Sequence, residues 1–568
     1  MRRILSYIRP YLRRMGIGLL IKFTGTIMDL ALPWCLAYMI DDVVPLKDRG
    51  QIYLWGGMML AFSAIAVINN IAANRMASRV ARDATRNIRH DLYSRISMLS
   101  CRQYDDVTIP SLISRLTSDT YNMNRMLGMM QRIGVRAPIL LLGGVTVTLI
   151  LDARLSLVLL CTLPLIGLGI VLISRKGIPL YSKLQRSGDK MVRTVRDNVT
   201  GIRVIKALSK TEHERSRFES VNNEVVKAEK KAGMVMAATN PLMNMLLNVG
   251  LTFVIVTGAF LVQDGISEPG KIIAFLTYFT IILNAMLSIN RIFVMYSQAS
   301  ASAKRIAEVL DTPFDMPLRE ADSITTQDHI RFENVSFSYN NVQDSLTDID
   351  FTLGHGEVLG VMGATGSGKT TLILLLQRFY EASKGTVRID GRNVNCIPGD
   401  ELHTMFGIAF QSDTLFADTI RENIDFGRGL PMERIELAAR CAQAYEFISS
   451  LPDGYNHMLT SKATNLSGGQ KQRLLIARAL AGSPKILILD DSSSALDYRT
   501  DAAMRQAVRE SFPDTTTILI AQRVSSVRHA DKIIMLDEGR IVGIGSHEQL
   551  MHTCPVYRET ARTQMGVE

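Results

Sequence analysis

The sequence predicts two fold classes joined in one chain: an all-α domain of six transmembrane helices, followed by an α/β domain. Three observations predict it. Hydrophobic residues make up 47% of the 568 and mean hydropathy is +0.13, too apolar for an ordinary soluble enzyme and too long for one core. Six stretches of roughly 20 apolar residues, the length at which a helix crosses a bilayer, all fall before residue 300. From about residue 329 the pattern changes to short apolar strands alternating with amphipathic helices and Gly-rich turns.

The six spans fall near residues 16–40, 52–74, 133–151, 155–174, 241–263 and 271–296. The opening "MRRILSYIRPYLRRMGIGLL" is basic and then apolar, without the short apolar region and small-residue cleavage site of a signal peptide. It is expected to be an amphipathic helix leading into a retained first span. Connections alternate between short ones, such as "DARLS" and "QDGISEPG", and long polar ones over 75–132 and 175–240. The long ones carry Arg75, Arg79, Arg82, Arg86, Arg175, Lys183 and Lys190. The positive-inside rule therefore puts them, and both termini, in the cytoplasm of a multi-pass cell (inner) membrane protein. Their helical periodicity suggests rods that run on past the bilayer. The net charge of +10 belongs mainly to these loops, so the lipid bilayer is the expected partner and nucleic acid is not. The six scattered cysteines have neither zinc-site nor disulfide spacing. Domain limits of 1–310, a linker over 311–328 and 329–568 follow.

In the second half, "VLGVMGATGSGKTTLILLLQRFY" places Gly363, Gly368, Lys369 and Thr370 in the G-x-x-x-x-G-K-[ST] pattern between a strand and a helix. Glycines let backbone N–H groups wrap phosphates, a lysine supplies a point charge, and a hydroxyl serves Mg²⁺. Gly366, Ser367 and Thr371 complete the loop. Downstream come "NLSGGQKQRLLIARAL" and "ILILDD".

These motifs, in this order and behind six spans, resemble an ABC transporter of the exporter half-transporter type across essentially the whole chain. The resemblance implies an ABC nucleotide-binding domain using ATP and Mg²⁺. Tyr339 would stack on adenine, or else merely pack at a strand edge. Gln411 and Asp490 would join Thr370 on the metal. Ser467, Gly468, Gly469 and Gln470 would close over a nucleotide held by another subunit, and Asp497 fills the D-loop position. "SLISRLTSD" (111–119) and "GIRVIKALSKTEHERSRF" (201–218) resemble the two cytoplasmic loops that carry coupling helices.

Two positions depart from the family pattern. Where it has a glutamate as general base there is Asp491, and where it has a switch histidine there is Gln522 in "IAQR". Asp491 is one methylene shorter, about 1.5 Å of reach, and a general base must come within about 2.6–3.2 Å of its proton. Gln522 can donate a hydrogen bond but carries no charge. A weakened base beside an intact signature resembles the degenerate-site subunit of a bacterial heterodimeric multidrug exporter. The implied partner is a second half-transporter, and the implied cargo is a drug or amphipathic small molecule. A peptide or lipid exporter, an ATP-gated regulator or channel-like protein, and a soluble P-loop enzyme are the alternatives; the six spans argue against the last.

In the membrane half, Asp29 lies near the middle of the first span with Lys22 on a similar face. Asn240, Asn244 and Asn248 recur every fourth residue, and Asn284, Ser288 and Arg291 repeat the arrangement in the sixth span. Such groups serve either as interhelical hydrogen bonds or as the lining of a wet cargo cavity.

Overall fold

The computed structural model describes residues 2–340, 342–411, 414–491 and 496–565, apart from the side chains of Arg2, Ser174, Thr239, Asn240, Asn290, Val294 and Met565. The chain divides into two compact units, Met1–Met98 with Pro110–Thr312, and Leu99–Ile109 with Pro313–Glu568.

The first unit is built of helices. Six are long and apolar enough to cross a membrane: Arg3–Val43, Arg49–Ser97, Ile109–Leu151, Ala153–Thr200, Thr211–Gln263 and Pro269–Leu310. Each contains one of the expected spans. Arg49–Ser97 has 49 residues, about 70 Å at 1.5 Å per residue, against a hydrocarbon core of about 30 Å. The helices are therefore rods that outrun the bilayer, as the periodicity of the long connections predicts. Pro33, Pro138, Pro164 and Pro179 lie inside them, which membrane helices tolerate where neighbours re-satisfy the freed carbonyls.

Two carboxylates tie the three short connections together. Asp41 accepts the Gly270 backbone N–H at 2.6 Å, and a Cβ on Gly270 would lie 2.7 Å from the Ala37 carbonyl oxygen. Asp152 caps helix Ala153–Thr200 through the N–H groups of Arg154 and Leu155 and accepts the Ser267 hydroxyl at 2.7 Å. Between these ends the packing is apolar: Leu30, Leu155, Leu159, Phe275, Tyr278 and Phe279 are buried in one cluster, and the Tyr278 hydroxyl donates to the Leu30 carbonyl at 2.5 Å.

The second unit carries two sheets. Strands β1 (Ile330–Phe337), β2 (Leu346–Leu353), β4 (Lys384–Ile389) and β5 (Arg392–Asn393) form an antiparallel sheet in the order β2-β1-β4-β5. Strands β3 (Val358–Gly363), β6 (Phe406–Ala409), β7 (Ile486–Asp490), β8 (Thr516–Ile520), β9 (Lys532–Asp537) and β10 (Arg540–Gly545) form the other, in the order β10-β9-β3-β8-β7-β6. There β6, β7, β8, β3 and β9 pair in parallel and β10 returns antiparallel to β9.

A parallel sheet is covered on both faces, so its strands read as continuous apolar runs; all five residues of β7, "ILILD", are buried. On one face Ile486, Ile488, Ile518 and Val361 pack with Leu372 and Leu376 of helix Lys369–Leu376 and with Phe332 and Phe351 of the antiparallel sheet. On the other, Leu487 and Leu489 pack with Leu474, Ile476 and Leu480 of helix Gly468–Ala481. Full burial of each such side chain contributes about 1.5–3 kcal/mol, so both helix starts are held firmly against the sheet.

Candidate nucleotide site

The motif residues gather where open α/β sheets bind ligands, at the carboxyl edge of the parallel strands. Gly363 ends β3, Asp490 ends β7 opposite Ile520 of β8, and Gln522 follows two residues later. A cavity of about 880 Å³ opens there, with Tyr339, Lys369, Thr370, Gln411, Asp490, Asp491 and Gln522 among its walls.

The loop between β3 and helix Lys369–Leu376 needs its glycines. Gly366 and Gly368 have φ of +86° and +100°, left-handed values that strain any residue with a Cβ. A Cβ on Gly368 would also lie 2.5 Å from Leu346 Cδ2. Lys369 Nζ donates to the carbonyls of Gly363 and Ala364, each at 2.8 Å, so the lysine closes on its own loop. Ser367 Oγ is buried and makes no hydrogen bond. An orphaned hydroxyl, helix-start N–H groups and a retractable ammonium are the donors a polyphosphate satisfies.

Asp490 is only 4% exposed. Burial and the neighbouring charge of Asp491 push its carboxyl above the usual range, opposed by Lys369 and by a hydrogen bond from Thr370. Burial lowers the Lys369 ammonium, with Asp490 and Asp491 opposing. Two adjacent carboxylates and a hydroxyl around one buried oxygen donor form a set that a hard divalent cation fits.

Asp491 stands in the left-handed region at φ +48°, which a short acidic side chain tolerates. Its N–H donates to the Ile520 carbonyl at 2.9 Å, and Gln411 Nε2 donates to its Oδ2 at 3.1 Å. Gln522 is exposed on the same cavity. Its loop is pinned by Gln564 of helix Pro555–Met565, which donates to the Gln522 carbonyl at 2.8 Å and accepts the Val524 N–H at 2.7 Å.

Tyr339 is both packed and open. Its ring meets Phe337 and Tyr380 edge-on at 4.8 and 5.1 Å, and its hydroxyl lies 3.2 Å from Thr371 Oγ1, yet it remains 43% exposed. The far wall is one that sequence reasoning missed: Gln343, Ser345, Glu538 and Gly539. Only Gly539 marks the turn between β9 and β10 in the sequence, as a residue that tolerates positive φ. Gly539 has φ +79°, and a Cβ there would lie 2.7 Å from the Ser345 carbonyl.

The signature residues lie apart from this cavity's described lining. Ser467 caps helix Gly468–Ala481 in a reciprocal box: its Oγ accepts the Gln470 N–H at 3.3 Å, and Gln470 Oε1 accepts the Ser467 N–H at 2.9 Å. Both side chains are thus engaged in the cap, and the helix start offers the N–H groups of Gly468 and Gly469, with open space beside Gly468. Asp497 likewise caps helix Tyr498–Ser511, accepting the Thr500 N–H at 2.9 Å and hydroxyl at 2.8 Å, which hold its carboxyl low.

Comparison with known proteins agrees with this geometry. Residues 15–286 match the ABC transporter transmembrane region and residues 346–494 match the ABC transporter family. The chain is 32% identical to the ABC transporter ATP-binding protein YfiB of Bacillus subtilis over 570 residues, 100% of this chain and 99% of that one. The chain belongs to the ABC transporter family. It is 30% identical to a multidrug efflux ATP-binding/permease protein of Mycobacterium bovis, over 98% of this chain and 47% of that one. A solved bacterial Atm1-family ABC exporter with ATP bound has the same fold, with a TM-score of 0.83, 24% identity and coverage of 98% and 99%. ATP binding, and ATP hydrolysis coupled to transport, come with the family.

In this ABC transporter the membrane candidates separate. Asp29 is paired: Arg136 donates to its Oδ2 at 2.9 Å and Asn70 at 3.3 Å. Lys22, buried, donates to Asn70 and Asn74 at 2.8 and 3.1 Å. Asp29 and Lys22 are therefore parts of one polar bridge among three helices. Asn244, Asn248, Asn284 and Arg291 are exposed on their helices, and Arg291 donates to Ser288 Oγ at 3.4 Å. The side chain of Asn240 lies outside the described residues.

Within the first long connection, helix Cys101–Val107 groups with the second unit. Ser100 and Gln103 form a capping box that starts it, and Thr108 at φ +66° ends it. Its Asp105 accepts the Tyr380 hydroxyl at 2.6 Å. Residues 111–119 stay with the membrane unit, where Asp119 pairs with Arg305 and Arg115 with Glu308.

Proposed function

We propose that this chain is one subunit of a heterodimeric ATP-driven exporter in the cell (inner) membrane, with both termini cytoplasmic, and that its own phosphate loop builds the slower of two ATP sites. The observation that carries the reading is Asp491, short by a methylene and hydrogen-bonded to Gln411, beside the uncharged Gln522. Loss of a positioned base costs about 10²–10⁴ in rate. Binding draws on other residues: Tyr339 for the base, Gly363 to Gly368 and Thr371 for the loop, Lys369 for the terminal phosphates. Thr370, Gln411 and Asp490 would hold Mg²⁺, which neutralises charge on the transferring phosphoryl group when bound. The N–H groups of Gly468 and Gly469, at a helix start exposed at Gly468, would complete the partner's site with Ser467, Gln470 and the D-loop Asp497.

A relative twice as long supports pairing, because this chain matches one half of it. So do Asn244, Asn248, Asn284 and Arg291: polar groups facing hydrocarbon are costly, so this surface suits a partner or a central cavity. By family resemblance the cargo is a drug or amphipathic small molecule. A second reading, a lipid or other amphiphile with a negative headgroup, is favoured by a cavity of about 460 Å³ between Lys22, Asn74, Arg125, Arg132 and Arg136.

The test is ATPase turnover of the purified single chain. It should be low, and Asp491→Glu with Gln522→His should raise it about a hundredfold, the low end of what a positioned base contributes. Robust turnover by the unaltered chain, undiminished by Asp491→Asn, would sink the proposal.

A further inference from the structure

Away from the nucleotide cavity, two imidazoles and a carboxylate converge from three segments of the second unit. His329 immediately precedes β1, His355 lies in the turn between β2 and β3, and Asp390 in the turn between β4 and β5. Their ligand atoms all lie within 4.8 Å of one another. Asp390 Oδ1 is 3.2 Å from His355 Nε2 and 3.8 Å from His329 Nε2. The two rings are nearly parallel, with centroids 4.2 Å apart.

His329 makes this more than a surface cluster. It is 1% exposed, and its Nε2 is buried without a hydrogen bond, a rare condition that calls for an explanation. Its Nδ1 lies 2.6 Å from Thr516 Oγ1. The same hydroxyl oxygen accepts the Gly356 N–H at 3.0 Å and reaches the Gly354 carbonyl at 3.4 Å. All three contacts hold together only if Thr516 donates to Gly354 and accepts from Nδ1–H. The free lone pair of His329 is then on Nε2, the atom nearest Asp390.

The three segments are held in place independently of any ligand. The His329 N–H donates to the Leu353 carbonyl and the Asp390 N–H to the His329 carbonyl, each at 2.9 Å. Strand register pairs Ile330 with both Leu353 and Ile389. Preorganised supports of this kind are what a metal site requires.

We propose that His329, His355 and Asp390 form a site for a divalent transition-metal cation of the zinc type, with water in the fourth position. Tetrahedral zinc with bonds near 2.0–2.1 Å sets its ligand atoms about 3.3 Å apart. The distances to Asp390 are close to that, and rotation of the exposed His355 closes the remaining gap. Thr516 supplies the outer hydrogen bond that ligating histidines make through their second nitrogen. Two imidazoles select against Mg²⁺ and Ca²⁺, which take oxygen ligands. The cation would tie together the start of β1, the β2–β3 turn and the β4–β5 turn.

The experiment uses the full-length transporter without a histidine tag, in detergent, free of nucleotide and stripped by chelator, titrated with Co²⁺. One equivalent per chain is expected, with the visible absorption of tetrahedral Co²⁺, displaced by Zn²⁺. His355→Ala and Asp390→Asn, both outside the core and checked for folding by nucleotide binding, should each weaken uptake at least about tenfold. Asp490→Asn, in the nucleotide site, should leave it unchanged. Absence of stoichiometric uptake, uptake that His355→Ala and Asp390→Asn do not alter, or uptake lost in Asp490→Asn would each overturn the proposal.

Discussion

Tyr339, proposed to stack on the base, has two kinds of contact that a substitution can separate. Its hydroxyl meets Thr371 and its ring edge meets Phe337 and Tyr380, while the rest of the ring is open to the cavity. An aromatic stack contributes about 0.5–1.5 kcal/mol beyond area burial. Tyr339→Ala is therefore expected to weaken nucleotide binding about three- to tenfold, read by titration with a fluorescent ATP analogue, whereas Tyr339→Phe should change it little. At this scale the sequence was most informative where spacing alone defines chemistry. The G-x-x-x-x-G-K-[ST] loop, Asp490, Asp491 and Gln522 do converge on one cavity. Less legible were the uses to which individual side chains are put. Ser467, Gln470 and Asp497 spend their side chains on helix caps, although the S-x-x-Q spacing that announces such a box was present. Asp29 lies in an ion pair with Arg136, a residue 107 positions away that no local pattern indicates.

Whole elements were legible where their periodicity is strong. All six spans and the buried strand "ILILD" were readable because lipid and a doubly covered sheet each demand uninterrupted apolar runs. The grouping of strands into two sheets was not, since register depends on partners far along the chain. Nor was the helix Cys101–Val107, whose attachment to the nucleotide-binding unit rests on contacts such as Tyr380 with Asp105. Burial and that carboxylate both push the Tyr380 hydroxyl above its ordinary range, so the bond is to the protonated phenol. Tyr380→Phe removes a hydrogen bond to a charged group at a partly exposed position, a loss of about 1 kcal/mol. Faster amide exchange across Cys101–Val107 is expected, with the rest of the nucleotide-binding unit unaffected; equal exchange in the two proteins would show that this bond does not hold the helix.

For the molecule as a whole, the proposed pairing predicts unequal pockets. Nucleotide trapped in the assembled transporter should leave in two phases, the slow one assigned to this chain's Lys369 by its loss in Lys369→Ala. Release at a single rate would contradict the asymmetry. Co-purification from native membranes should bring a second ABC subunit with a glutamate where this one has Asp491.

The capped start of helix Gly468–Ala481 has a genetic corollary. The helix starts at an exposed Gly468, apart from the chain's own phosphate loop, so on the proposed pairing a lesion at Gly468 would injure a neighbour's pocket and one at Lys369 its own. Two alleles of a single gene would then fail in different places, and a damaged copy that still assembles would poison a healthy mate.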